Sequence, residues 1–282
     1  MKKYTQIKAN FKENLQEFLE TIISYVSTPN GQWSVKGFID IYKNIYTIST
    51  DTKIVSKILE IHLFPKILEF AEQNNYIIVL ADHQNYYPDI SFIDKKNDTI
   101  KFAVDFKTTY RNPENKEACN GFTLGSHGEY FINRTSKKNI QFPYDEYIGH
   151  FCFGIIYDRI KNSGITETAS YKVSQLASIP SVIKNFDFFI AEKWKIASDK
   201  SGSGNTANIG SINNIKDIKN ENGMFSRLGE KWFDDYWKNY NKIVKPGSKG
   251  EKIRNLYDFV TYRKGKMELI VPKKSGKNNG KD

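Results

Sequence analysis

The chain has 282 residues, with 42 Lys and Arg against 32 Asp and Glu, which gives a formal net charge of +10 and an isoelectric point near 9.2. This length can bury one large core or two small ones, and the basic balance is typical of proteins that neutralise phosphates. The sequence has no apolar stretch long enough to span a membrane and no apolar signal core, which predicts a soluble protein with no membrane partner. Cys119 and Cys152 have neither metal-ligand nor redox spacing, which predicts the reducing cytoplasm.

The first 31 residues are predicted to form a helical extension. Apolar side chains recur there at the spacing that places them on one face of a helix, which is expected to end before Pro29. The extension is therefore expected to be ordered. The residues of this face are Phe11, Leu15, Phe18, Leu19, Ile22, Ile23 and Val26.

A hairpin and a long helix are predicted next. Residues 37–42 and 45–50 alternate in polarity on either side of Lys43-Asn44, which is typical of two paired strands. The following helix is expected to begin near Asp51 or Thr52, because both residue types cap helices. Its apolar residues recur at helical spacing, and Pro65 is expected to kink or interrupt it.

Two antiparallel strands are predicted in the segment that follows. Residues 76–80 form a strand that leads into the loop before Asp89. Residues 89–93 are short and mostly apolar, residues 95–98 resemble a turn, and residues 99–109 are rich in β-branched and aromatic side chains. Pairing of the last two strands would bring Asp89 close to Asp105.

The second half of the chain carries weaker signals. Residues 144–150 are predicted to be helical and residues 151–157 to be a buried strand, although this apolar run is ambiguous between the two. Residues 186–197 are expected to form another strand or pair of strands, and a later short helix is expected to reach Tyr262. Aromatic residues at helical spacing indicate core or dimer packing rather than base stacking. They are Trp232, Phe233, Tyr236, Trp237 and Tyr240.

Asp89, Asp105 and Lys107 indicate a metal-dependent phosphodiesterase site. Two neighbouring carboxylates repel each other unless a cation lies between them, and hard oxygen ligands with open water positions suit Mg²⁺. Lys107 lies two residues beyond Asp105, so strand alternation places it on the same face. A Lys there can help to generate hydroxide and can offset charge that develops on the phosphate.

The Asp-x-Lys tripeptide alone is weak support for such a site. It also occurs at residues 51–53, 94–96 and 217–219, and a structural ion pair between Asp105 and Lys107 is an open alternative. Context distinguishes Asp105 from the other copies. It lies in an apolar run where a buried charge needs a partner, and Pro88-Asp89 precedes it at strand-to-strand distance.

Residues 201–211 form a second informative segment, made of small hydrogen-bonding residues. Such a loop allows its backbone to approach a ligand closely, although a flexible linker would have the same composition. The amide of Asn205 matches the edge of adenine in the major groove, and the methyl group of Thr206 can contact thymine. The segment is therefore a candidate reader of DNA sequence.

These stretches resemble the EcoRV family of type II restriction endonucleases, within the PD-(D/E)xK nuclease superfamily. The similar segments run in the same order as in the family, from about residue 32 to about residue 264. The resemblance implies an α/β, restriction-endonuclease-like fold with a central mixed sheet flanked by helices. One catalytic and DNA-binding domain is expected over residues 1–266. The polar, Gly-, Lys- and Asn-rich composition of the last residues predicts a basic, disordered tail over residues 267–282, which the resemblance does not cover. The similar segments are residues 49–53, 86–89, 105–110, 122–125, 202–211 and 235–240.

The resemblance also assigns roles to individual residues. Asp89 and Asp105, with Glu60 from the preceding helix, are expected to bind Mg²⁺, and Lys107 is expected to be the catalytic lysine. DNA contacts are expected from the loop at residues 202–206 and from a second loop near the minor groove. The implied DNA-binding residues are Gly202, Ser203, Gly204, Asn205, Thr206, Gln84 and Asn85.

The implied activity is Mg²⁺-dependent double-strand cleavage of palindromic DNA. The family resemblance suggests the sequence GATATC and blunt ends with 5′-phosphate and 3′-hydroxyl groups. It also implies a homodimer that uses residues 37–50 and 159–168, and a cognate DNA methyltransferase in the host. Two alternatives are a structure-specific repair or recombination nuclease of the same fold and a basic DNA-binding protein that does not cleave.

Overall fold

The structure is a computed structural model that describes residues 2–83, 85–160, 169–202 and 207–271. Its helices are α1 (Lys2–Val26), α2 (Thr52–Gln73), α3 (Glu129–Ile132), α4 (Ile215–Lys219), α5 (Glu230–Asn239) and α6 (Leu256–Tyr262). Its strands are β1 (Gly37–Ile39), β2 (Asn44–Thr47), β3 (Tyr76–Leu80), β4 (Ile90–Asp94), β5 (Asn97–Tyr110), β6 (Thr123–Ser126), β7 (Tyr147–Arg159), β8 (Ser170–Lys172), β9 (Ile183–Glu192), β10 (Ala197–Ser201) and β11 (Asn208–Ser211). In the part of the chain that is described, no helix combines the length and apolar character needed to cross a membrane.

A five-stranded mixed sheet forms the centre of the fold, in the order β3-β4-β5-β7-β9. Strands β5 and β7 are parallel, and the other neighbouring pairs are antiparallel. Two smaller sheets have the orders β1-β2-β8 and β10-β11-β6. The predicted α/β class, with a central mixed sheet flanked by helices, is confirmed.

The two faces of the central sheet contribute to two separate hydrophobic cores. Along β5, Phe102, Val104 and Phe106 belong to the core that contains the apolar faces of α1 and α2. Ala103 belongs to the other core, with residues of α5, α6 and the β10-β11-β6 sheet. Because side chains alternate along a strand, Asp105 and Lys107 share the face of Ala103.

The hairpin of β4 and β5 forms as the sequence predicts. Ile90 pairs with Val104, and the last pair before the turn is that of Asp94 and Asn97. The Asp94 carboxylate accepts backbone hydrogen bonds from Lys96 and Asn97, at 2.8 and 2.9 Å, which stabilises the turn. The turn therefore fixes which residues of the two strands face each other.

The first helix is ordered and longer than the apolar pattern indicates, because it begins at Lys2. Phe11 is fully buried and stacks on Phe102 of β5, with ring centroids 3.9 Å apart. Ion pairs of 2.5 Å join Lys8 to Glu192 and Lys12 to Glu221. The helix is therefore attached to the central sheet by both apolar and charged contacts.

The other N-terminal predictions hold in outline. β1 and β2 pair antiparallel from Gly37 opposite Thr47, in a hairpin shorter than the sequence suggests. Asp51 caps α2, since its carboxylate accepts hydrogen bonds from the backbone of Lys53 and Ile54 at 2.9 and 3.2 Å. In the C-terminal half, α6 reaches Tyr262 as predicted.

Of the two expected effects of Pro65, interruption of α2 does not occur, and one predicted helix is wrong. Pro65 does not interrupt α2, which continues to Gln73; the proline lies on the solvent-exposed side, where water can satisfy the carbonyl that loses its partner. The helix predicted over residues 144–150 is wrong, because only a short 3-10 turn, Tyr144–Glu146, precedes β7. Tyr147 already pairs with Lys101 in the sheet, and a strand buried on both faces lacks the alternation that would have identified it.

We expect Phe11→Ala to lower the free energy of unfolding by about 3–5 kcal/mol, because it removes a fully buried ring from the core shared with β5. Chemical denaturation followed by circular dichroism measures the change. Ile23→Ala in the same helix is the control, since Ile23 is 47% exposed and its loss should change stability little. Equal stability of both variants would contradict the packing of α1 on the sheet.

Candidate active site

The register of β4 and β5 brings the two predicted carboxylates together. Asp89 immediately precedes β4, and the pairing of Ile90 with Val104 places it opposite Asp105. The Asp89 carboxylate accepts a hydrogen bond of 2.7 Å from the backbone N–H of Phe106, which fixes its orientation. The peptide bond between Tyr87 and Pro88 is cis. The Pro-Asp pair and the Asp-x-Lys tripeptide thus meet at one edge of the hairpin.

Lys107 points to the same place and forms an ion pair with Asp105. Burial by itself would lower the pKa of Lys107, but the charges of Asp105 and Asp89 outweigh burial and raise the pKa above its usual value. Lys107 therefore carries a positive charge at neutral pH. It can hold a negatively charged group or orient a water molecule beside the carboxylates.

The carboxylate pair carries more negative charge than Lys107 can neutralise. Burial, followed by the charge of Asp105, raises the pKa of Asp89 to about 7, although Lys107 and the N–H of Phe106 oppose the shift. A cation beside the pair would favour the ionised form of Asp89. A divalent cation with oxygen preference, such as Mg²⁺, fits Asp89 and Asp105 on this ground.

A cavity of ≈ 300 Å³ opens over these three side chains. Its wall includes Gly125, whose φ of +91° is a backbone conformation that other residues rarely adopt. Other lining residues come from β6, from α3 and the segment that follows it, from β11 and from the predicted minor-groove loop. They include Asn85, Ser126, Glu129, Tyr130, Lys138 and Asn208.

The base of the predicted recognition loop forms part of the same wall. β10 and β11 form a hairpin in which the N–H of Gly202 donates to the carbonyl of Asn208 at 2.8 Å. Asn208 pairs with Ser126 of β6, and the N–H of His127 donates to the carbonyl of Ala207 at 2.8 Å. The tip of the loop lies outside the described residues. So do four of the predicted DNA contacts there, Ser203, Gly204, Asn205 and Thr206, and also Gln84 of the second loop.

Glu60 lies in a neighbouring cavity of ≈ 440 Å³, which shares Asp89 with the first. Its carboxylate forms an ion pair of 2.8 Å with Lys57 of the same helix. Among residues 2–83, 85–160, 169–202 and 207–271, no three or more His, Cys, Asp or Glu residues form a group that could hold a metal. The structure therefore brings Asp89 and Asp105 together but does not complete a three-acid group with Glu60.

The sequence did not identify a buried polar cluster directly behind the cavity. A hydrogen bond of 3.0 Å joins the Tyr87 hydroxyl to Nδ1 of His150, and Tyr144 stacks on the His150 ring with centroids 3.8 Å apart. Burial, with the charges of Lys193 and Arg134, holds the pKa of His150 well below its usual value. No local pattern reveals these residues, because they come from separate elements and meet only in the fold.

Comparison with known proteins gives matches that cover most of the chain. A family model described as "Restriction endonuclease EcoRV" matches residues 29–264. The chain is similar to a protein of Escherichia coli named "Type II restriction enzyme EcoRV", with 36% identity over 239 residues. This alignment covers 84% of the chain and 94% of the Escherichia coli protein.

We expect Asp89→Asn to stabilise the protein in EDTA as the pH rises toward 7. Between the usual carboxyl pKa and about 7, native Asp89 binds more protons than the unfolded chain, so wild-type stability falls as the pH rises through this window. Asp89→Asn does not lose this stability, which amounts to a free energy of unfolding on the order of a few kcal/mol. Thermal unfolding in EDTA at several pH values measures the difference.

Asp98→Asn is the matched control, because Asp98 is exposed near the start of β5 and its loss should leave the pH dependence unchanged. Addition of Mg²⁺ should stabilise the wild type at neutral pH more than it stabilises Asp89→Asn. A parallel pH dependence of wild type and Asp89→Asn would show that Asp89 is not held beside a second buried carboxylate.

Proposed function

Because the chain belongs to the EcoRV family of type II restriction endonucleases, which are site-specific deoxyribonucleases, we propose that Asp89, Asp105 and Lys107 form its DNA-cleaving site with Mg²⁺ as cofactor. Members of this family are generally dependent on a divalent metal, and their substrate is DNA. The observation that carries the proposal is the placement of Asp89 opposite Asp105, with Lys107 in an ion pair, in one cavity.

Each side chain has a distinct role in the proposed hydrolysis. Asp89 and Asp105 bind the cofactor, which when bound acts as a Lewis acid toward the phosphate and lowers the pKa of water. Lys107 orients the attacking water and offsets the negative charge that develops on the phosphate. The phosphodiester lies in the cavity above these residues, and cleavage leaves 5′-phosphate and 3′-hydroxyl ends. Glu60, which lines the neighbouring cavity, would be a secondary ligand of the cofactor or of water.

The proposed recognition sequence is GATATC, cut at its centre to give blunt ends. The amide of Asn205 suits adenine, the backbone at Gly202 and Gly204 can meet a neighbouring base, and the Thr206 methyl suits thymine. Ser203 is a further proposed contact, and Gln84 and Asn85 are the proposed contacts to the minor groove. The central TA step is chosen by its deformability, because such steps kink easily. Asn208 supports this proposal, since it joins the base of the loop to the wall of the acid cavity.

We propose that the protein acts as a homodimer. One site cuts one strand, so two-fold symmetry of the protein matches a palindromic sequence. The proposed contacts are the β1-β2 hairpin and residues 159–168, of which 161–168 lie outside the described residues. The hairpin supports this assignment because it exposes a group of large apolar side chains. They are Phe38, Ile39, Ile41, Tyr42 and Tyr46.

A cognate DNA methyltransferase is a further proposed partner in the host. An enzyme that cuts a short sequence in both strands would also cut the host genome wherever that sequence occurs. Methylation of the recognition sequence would block the base edges that the loop reads in the major groove. This expectation follows from the activity and concerns the host rather than a surface of this chain.

We expect purified wild-type protein to cut plasmid DNA in Mg²⁺ and not in EDTA. Asp105→Asn should abolish cleavage, because it removes a ligand of the cofactor, and Lys107→Ala should slow cleavage by about 10²–10³-fold. Lys107→Ala should still bind the recognition sequence in Ca²⁺. Gel analysis of cleavage and fluorescence anisotropy of binding measure the two properties.

Asp98→Asn and Lys96→Ala are the matched controls, because both residues are exposed near the turn between β4 and β5. They should cut at the wild-type rate. Normal cleavage by folded Asp105→Asn would refute the assigned site. Loss of all DNA affinity in Lys107→Ala would make Lys107 a phosphate clamp, and binding without cleavage by the wild type in every divalent cation tested would refute the nuclease assignment.

We expect the ends of a digested plasmid to map to the centre of GATATC and to be blunt. Asn205→Ala should lose roughly 1–3 kcal/mol of discrimination against other bases, because it removes a two-bond contact to adenine. Sequencing of the ends and cleavage of substrates with single base changes measure both. Asn10→Ala is the control, because it removes a side-chain amide from α1 and should leave the base preference unchanged. Staggered ends, or unchanged preference in Asn205→Ala, would contradict the proposed reading of DNA.

A further inference from the structure

Lys193 is a buried lysine that the proposed reaction does not use. It lies in the short turn Lys193–Lys195 between β9 and β10, and it is only 3% exposed. Its ammonium lies over the ring of Tyr87, with Nζ 4.7 Å from the centroid, and faces Tyr144 and Phe131 at 5.5 and 5.6 Å. Within the part of the chain that is described, Nζ has no hydrogen-bond partner.

This arrangement is costly for stability. A buried ammonium without a hydrogen bond loses its hydration free energy, and contacts with aromatic faces compensate for only part of this loss. Burial lowers the pKa of Lys193 to about 7; Asp105 and Asp234 oppose the shift, whereas Lys107 and Arg134 add to it. A residue that served packing alone would be better replaced by an apolar side chain of similar length.

The ammonium lies directly behind the wall of the acid cavity. A Cβ added to Gly125 would lie 3.3 Å from Nζ of Lys193 and 3.6 Å from the ring of Tyr87. Gly125 lines the cavity with Asp89, Asp105 and Lys107, so the missing side chain lets the positive charge approach the cavity from behind. Tyr87, the nearest ring to the ammonium, immediately precedes Pro88-Asp89.

We propose that Lys193 is a positioning residue of the nuclease site, whose buried positive charge strengthens binding of a DNA phosphate in the cavity and weakens binding of a divalent cation at Asp89 and Asp105. This inference rests on the proposed function, because it assigns both ligands to that cavity. It predicts opposite effects on the two ligands when the charge is removed. Structural damage to the site would instead weaken both.

Lys193→Met tests the proposal, because it removes the charge and keeps a flexible side chain of similar length. At pH 6.5, we expect Mn²⁺ to bind the free variant roughly three- to tenfold more tightly than it binds the wild type. We expect a labelled duplex containing GATATC to bind roughly three- to tenfold more weakly in EDTA. Isothermal titration calorimetry measures the first constant, and fluorescence anisotropy measures the second.

Stability provides a further readout. Lys193→Met should raise the thermal midpoint by a few degrees in EDTA, because it replaces an unpaired buried charge with an apolar group. Lys193→Gln is a second neutral variant in case the first does not fold, and it should show the same opposite shifts in affinity. Lys193→Arg keeps the charge, so its affinities for Mn²⁺ and for the duplex should be closer to those of the wild type than the affinities of the neutral variants are.

Lys195→Met is the matched control. Lys195 belongs to the same turn, but its ammonium is paired with Glu192 and Glu221, at 2.7 and 3.2 Å, away from the cavity. Its loss should not shift the two affinities in opposite directions. The proposal would be overturned if a folded neutral variant of Lys193 shifted both affinities in the same direction. It would also be overturned if such a variant shifted neither affinity.

Asp105→Asn separates this inference from the proposed function. If Asp105→Asn abolishes Mn²⁺ binding while the Lys193 variants show no opposite shifts, only the role of Lys193 fails. If Asp105→Asn binds Mn²⁺ as the wild type does, the metal site itself is refuted, and the role of Lys193 is refuted with it.

Discussion

The candidate site is organised by one constraint, which is that two carboxylates lie side by side in a largely buried place. The turn at Asp94 sets the register of β4 and β5, and the register places Asp89 opposite Asp105. Lys107 compensates one of the charges, and burial, followed by the charge of Asp105, raises the pKa of Asp89. A pair of this kind is unfavourable for stability alone, so its preference for a cation is the physical basis of the proposed chemistry.

The second core fixes the position of the strand that leads into the proposed recognition loop. The hydroxyl of Tyr236 in α5 donates to the carbonyl of Asp199 in β10 at 2.6 Å, and the N–H of Leu256 in α6 donates to the Asp199 carboxylate at 3.2 Å. The two helices thereby hold the strand that leads into the proposed recognition loop, and Asn208 of β11, at the other end of that loop, lines the acid cavity. The aromatic residues of α5 thus pack in the core that supports the strands on either side of the proposed recognition loop.

The sequence predicted those parts of the structure that depend on local patterns. The hairpin around Asp94, the cap at Asp51 and the helical faces of α1 and α2 follow from turn chemistry and periodicity. The four Asp-x-Lys tripeptides could be separated only by context, since the copy at residues 105–107 follows a Pro-Asp pair at strand distance. The start of β7 was missed because a strand buried on both faces has no alternation. Lys193 was missed because burial of one Lys in a Lys-rich chain depends on contacts between distant segments.

The N-terminal helix offers a physical reason why the chain can carry these costly charges. α1 ends at Val26, before the segment at residues 29–264 that matches the family model, yet its Phe11 stacks on Phe102 of the strand that carries Asp105. The apolar area that this helix buries is on the opposite face of the sheet from the acids, so it adds stability without filling the cavity. Apolar burial on the α1 face of the sheet can therefore offset the unfavourable charges on the face of Asp105 and Lys107. The site can then keep a geometry that its own residues would not stabilise.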